Sequence, residues 1–78
     1  MDVHETGRAI HALAALRDSN GEVDRAAQVL GISPAKLVQA VEGGGAALYE
    51  RLGDGRIMPT QMGLGFAERS STFPHVSW

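Results

Sequence analysis

A chain of 78 residues forms one domain and buries only about 60% of its unfolded surface, too little to wall a deep catalytic cleft. A hydrophobic share of 44% fits a folded chain. The absence of cysteine excludes disulfides and thiolate metal sites, and no apolar run reaches the roughly 18 residues that cross a bilayer. With no secretory signal the expected compartment is the cytoplasm, and a net charge of −2 means that a nucleic-acid partner has to be argued from pattern rather than from bulk charge. In chain order, the first predicted helix spans Arg8 to Arg17, where Ile10, Leu13, Ala14 and Leu16 fall at helical spacing among Ala9, Ala12 and Ala15. Ser19-Asn20-Gly21 stops it, because Asn and Gly tolerate the left-handed backbone of a helix end. Val23, Ala26, Ala27 and Leu30 then form one apolar stripe at i, i+3, i+4 and i+7, closed by Gly31.

Ser33-Pro34 opens a third helix at once, with serine as the N-cap and proline at the helical position that needs no N–H. Leu37 and Val41 supply its inward face, Lys36, Gln39 and Ala40 its outward face, and Gly43-Gly44-Gly45 its end. Ala47–Leu52 faces Arg56-Ile57-Met58 across Gly53-Asp54-Gly55, the turn chemistry of a short β-hairpin. Thr60 is then the candidate N-cap of a segment through Arg69, in which Gly63 and Gly65 each weaken the helix by about 1 kcal/mol relative to alanine. The expected fold is mainly α, a helix-turn-helix domain of three to four helices with a short β-hairpin wing, over residues 1–69, with a tail over 70–78.

The run from Gly21 to Ser33, continued by Leu37 and Val41, resembles the helix-turn-helix of bacterial DNA-binding regulators. Ala27 is small where two helices would cross, Gly31 allows the sharp turn, Leu30 and Ile32 fill the angle, and Leu37 anchors the second helix. Farther on, Leu48-Tyr49-Glu50-Arg51, the Gly53-Asp54-Gly55 turn and Thr60-Gln61-Met62-Gly63 resemble the segment downstream of the motif in LysR-type regulators: a leucine-aromatic-x-arginine strand, a wing and a threonine-x-alanine-glycine helix start. This likeness runs from Ile10 to Gly63. It departs from the family in a stretch between Val41 and Leu48 shorter by about one helical turn, in Asp54 at the wing tip where a basic residue is usual, and in having no counterpart of the family's dimerisation helix and effector domain. Fis-type modules are similar over Gly21 to Val41 alone.

The resemblance implies a recognition helix over residues 33–42. Ser33 and the helix start would face a phosphate, Lys36 and Gln39 would read base edges or backbone, and Pro34 and Ala35 would touch thymine methyls. Arg25 would hold the DNA backbone and Arg56 of the wing would enter the minor groove. Residues 1–31 carry five acids against three bases and residues 33–58 three of each, so binding to double-stranded DNA calls for a homodimer, built on helix one or on Met62 to Phe73.

Other chemistry finds less support. His4 and His11 with Glu5 lack a third ligand at diagnostic spacing and read as solvated or capping histidines. Ser70, Ser71 and His75 lack the rigid third group and oxyanion hole of nucleophilic catalysis, and Gly43-Gly44-Gly45 lacks the lysine of a phosphate loop. The expectation is therefore no enzyme, no metal and no cofactor. Phe73 and Trp78 in a short polar tail resemble an anchor that docks on its own domain or on a protein partner. Two functions are consistent with these residues: a small DNA-binding transcription regulator acting as a repressor by occupying its operator, or a helix-turn-helix fold that binds another protein as inhibitor or adaptor.

Overall fold

The chain is seen in a computed structural model that describes residues 3–72, 76 and 78. It is mainly helical: α1 spans Val3–Asp18, α2 Val23–Leu30, α3 Pro34–Gly43 and α4 Gln61–Ala67, with strands β1 (Tyr49–Arg51) and β2 (Ile57–Pro59) paired as an antiparallel hairpin. Single 3-10 turns over Ala46–Leu48 and Glu68–Thr72 precede β1 and extend α4.

α1 is the hub of the fold. Ala9, Ile10, Ala12, Leu13, Ala14, Ala15 and Leu16 are all buried, so the middle of this helix is covered well beyond one stripe, while His4, Glu5, Arg17 and Asp18 at its ends are exposed. Its alanines explain how so many neighbours fit: α2, α3, α4, β2 and the 68–72 turn all pack on it, and a methyl side chain lets each axis come close. The helix begins five residues earlier than Arg8.

α2 and α3 form the tight pair that the pattern predicts. Ala26 and Ala27 are buried at their crossing, and Val23 and Leu30 pack on the core's edge. Gly31 closes α2 at φ 71°, a left-handed backbone that a side chain would strain, and the Ile32 N–H reaches back to the Ala27 carbonyl at 3.0 Å. The Ser33 hydroxyl then accepts the Lys36 N–H at 3.2 Å with Pro34 in the first turn, so one helix stops and the next starts within three residues. Leu37 and Val41 are fully buried and fix the rotation of α3 about its axis.

The hairpin is shorter than expected. Ala47 and Leu48 lie in the 3-10 turn rather than in a strand, because Leu48 turns inward to the core, and pairing starts only at Tyr49, opposite Pro59. Residues 52–56 form the connecting loop, closed by the Leu52 N–H on the Arg56 carbonyl at 2.8 Å. The Ile57 N–H donates to the Gly21 carbonyl at 3.0 Å, which docks the hairpin on the α1–α2 turn.

Thr60 caps α4 as expected. Its hydroxyl accepts the Gly63 N–H at 3.2 Å and donates to the Ala47 carbonyl at 2.6 Å, tying the helix start to the chain before β1. The helical path continues through Thr72 against α1, three residues beyond the expected end of the domain at 69. Among the described residues no helix is long and apolar enough to cross a membrane.

Candidate nucleic-acid interface

With Leu37 and Val41 turned inward, the start of α3 presents Ser33, Pro34, Ala35, Lys36 and Gln39 to solvent. Each side chain keeps chemistry that a duplex can use. The Ser33 oxygen accepts the capping bond but its O–H still has a proton to donate to a phosphate oxygen. No described residue pairs with the Lys36 ammonium, and the helix start adds the positive end of its dipole. Gln39 carries both a donor and an acceptor, the pair that matches an adenine edge in the major groove. Ala40, expected on the outward face, is half-buried.

The two arginines assigned to backbone and wing lie elsewhere. Arg25 and Arg56 border an open groove of about 560 Å³ between the start of α2 and the hairpin tip, together with Glu22, Asp24, Gln28 and Asp54. Both cations are engaged within the chain. Arg25 Nη1 is 3.5 Å from Glu22 Oε2, while Asp54 accepts twice from Arg56, from Nε at 2.7 Å and from the backbone N–H at 3.1 Å. These two bonds hold the Asp54 carboxyl below its ordinary pKa, the backbone N–H contributing most. The wing therefore carries its cation neutralised.

Lys36 and Gln39 line a different groove of about 220 Å³, with Glu5 and Arg8 of α1, Ala40 and Gly43 of α3, and Trp78. Trp78 is half-buried and packs at the edge of the core, so this aromatic docks on its own domain. Phe73, its expected companion, lies outside the described residues. Residue patterns did not point to the ion pair between Arg51 of β1 and Glu42 near the end of α3, with the Arg51 guanidinium 6.0 Å from the centre of the Tyr49 ring. Nine residues separate these partners and no helical or strand period relates them, so only their opposite charges hinted at it. The pair joins the last turn of α3 to the hairpin, and the site thus consists of an exposed helix start, a wing tied to that helix's far end, and a tail residue beside it.

Comparison with protein-family models, curated proteins and solved structures gives no match to this chain.

Proposed function

We propose that the protein is a small DNA-binding transcription regulator that reads a major groove with α3 and acts as a repressor by occupying its operator, as a homodimer. One observation carries the reading: α2, the Gly31 turn and α3 leave Ser33, Lys36 and Gln39 exposed on a helix that buries Leu37 and Val41, with no described residue pairing to the Lys36 ammonium. The likeness of the segments around Tyr49 and Thr60 to LysR-type regulators supports the same assignment, with the hairpin as the wing. The internal ion pairs of Arg25 and Arg56 do not stand in the way, because exposed pairs are weak in water and a phosphate can replace the carboxylate at little cost.

The test is fluorescence anisotropy of labelled duplex pools, random and genomic, against the wild-type chain and the Lys36→Ala/Gln39→Ala variant. The double variant is expected to lose sequence-selected binding while its melting temperature shifts by no more than about 4–8 °C, since two exposed substitutions together change stability by roughly 1 kcal/mol or less. Undiminished binding by the double variant would remove α3 as the reader.

A second reading, a helix-turn-helix fold that binds another protein as inhibitor or adaptor, is favoured by the pairing of Arg25, Arg51 and Arg56 with Glu22, Glu42 and Asp54. These pairs leave the face a mosaic of both signs rather than a cationic surface. An absence of duplex binding even at low salt removes DNA reading and leaves the fold as a scaffold, and a pull-down for a protein partner then tests this second reading.

A further inference from the structure

The α1–α2 turn carries a reactive pair of residues that DNA reading does not use. Asn20 is the chain's only asparagine, and it is followed by Gly21, which has no side chain to screen its backbone nitrogen. Asn20 is exposed, and no described residue bonds its side-chain amide. Its φ of 56° is the only positive value at a residue other than glycine among the described residues, a left-handed backbone that asparagine tolerates. The Gly21 nitrogen and the Asn20 Cγ are the two atoms whose bonding closes a five-membered cyclic imide.

We propose that Asn20-Gly21 is a self-modification site whose reaction the fold holds back and whose product releases the hairpin. The Gly21 nitrogen attacks Asn20 Cγ and a C–N bond forms, while ammonia leaves with the side-chain nitrogen and the Gly21 amide proton. Water then opens the imide at either carbonyl, giving aspartate or isoaspartate. Nothing is oxidised or reduced. In the native turn the Gly21 N–H donates to the Leu16 carbonyl at 2.8 Å, so the nitrogen holds the proton that it has to lose before it attacks. That bond must open first, and the rate therefore follows local opening of the turn. Aspartate keeps the backbone path, whereas isoaspartate routes it through Cβ and adds a carbon ahead of Gly21. The turn has no space for that shift. Gly21 is buried, a Cβ on it would stand 2.5 Å from Met58 Sδ and 3.2 Å from the Ile57 carbonyl oxygen, and its own carbonyl accepts the Ile57 N–H at 3.0 Å. A lengthened chain cannot keep both the Leu16 bond and the Ile57 bond, so the hairpin loses its seat on the turn.

The test ages the full chain at mildly alkaline pH, with and without denaturing urea, and follows its mass and its proteolytic peptides. Conversion of amide to acid at residue 20 is expected in both samples, several-fold slower in the folded chain. Equal rates overturn the protection, and a folded chain that stays unconverted while the unfolded chain is consumed overturns the site. The isolated isoaspartate form is expected to lose stability in urea. Its half-buried Met58 is expected to be oxidised by dilute hydrogen peroxide several-fold faster than in the unaged protein, because the sulfur becomes accessible. Asn20→Asp carries the same charge on an unaltered backbone and is expected to match the unaged protein in both readouts. Asn20→Gly keeps the left-handed turn without an amide and is expected to show no conversion. Wild-type Met58 protection in the isoaspartate form, or an equal loss of it in Asn20→Asp, overturns the release of the hairpin. Duplex binding enters none of these readouts, so their outcome is independent of DNA reading.

Discussion

Among single residues, Asp54 has the clearest effect on the proposed interface. It holds Arg56 through two bonds, and these bonds lower its carboxyl pKa. A carboxylate whose pKa is lower in the folded state stabilises the fold fully above its unfolded value, and that contribution disappears as the pH falls through the lowered folded value, below roughly pH 4. The pair is exposed, so at neutral pH its main effect is on the charge that the wing presents. Asp54→Asn removes the anion and frees the guanidinium, and is expected to tighten duplex binding by up to about fivefold, because an exposed pair is a weak competitor for a phosphate. Anisotropy titrations of the two proteins check this, and equal affinities would place Arg56 outside the interface.

Among the elements, α4 separates two glycines that look alike in the sequence. A Cβ on Gly63 would run into the Leu48 carbonyl, since the helix start rests directly on the chain leading into β1, whereas a Cβ on Gly65 meets nothing within 4 Å. Gly65→Ala is therefore expected to stabilise the protein by about 1 kcal/mol through helix propensity alone. Gly63→Ala is expected to destabilise it by about 1–3 kcal/mol or more, because the neighbour is backbone and cannot rotate away. Urea denaturation of both variants measures the difference, and equal shifts would mean that α4 does not sit on Leu48. The close approach at Gly63 belongs to the same junction as the Thr60 cap and its bond to Ala47, so the hairpin and α4 are seated by one set of contacts.

For the molecule as a whole, the burial of α1 decides which surface is left for a second copy. Among the described residues the exposed large apolar side chains are Val29 on α2 at 70%, and Met62 at 59% and Leu64 at 37% on α4, so α2 and α4 rather than the buried middle of α1 offer apolar area to the proposed homodimer. Salt dependence gives the stoichiometry. If Arg25, Lys36 and Arg56 each meet one phosphate, the affinity of a monomer falls with a log–log slope of about −3, a loss of roughly 40-fold between about 50 and 200 mM salt. A homodimer doubles the contacts, giving a slope of about −5 and a loss of more than about a thousandfold. A slope near about −1 would mean that the arginines keep their carboxylates and only Lys36 meets the backbone. Anisotropy titrations at both salts, with sedimentation of the same samples, distinguish the three.

Features that depend on neighbours within about one helical turn were legible in the residue order. The Ser33 and Thr60 caps, the Gly31 stop, the Ala26–Ala27 stripe and the inward Leu37–Val41 pair are all local, because caps and amphipathic faces act over three or four residues. The hairpin's existence could be read from its turn residues, but not its start, since Leu48 is drawn from strand into core by packing. Of the candidate site, the exposed start of α3 could be read from helical period. Packing in three dimensions was needed to bury the middle of α1 beyond one stripe, to place Arg25 and Arg56 in a groove with three acids, to bring Glu42 to Arg51, and to set Trp78 at the groove that Lys36 and Gln39 line. One cause underlies all four: these contacts join different elements of the fold, and their energy comes from which surfaces meet when the layers close, a quantity no local spacing records.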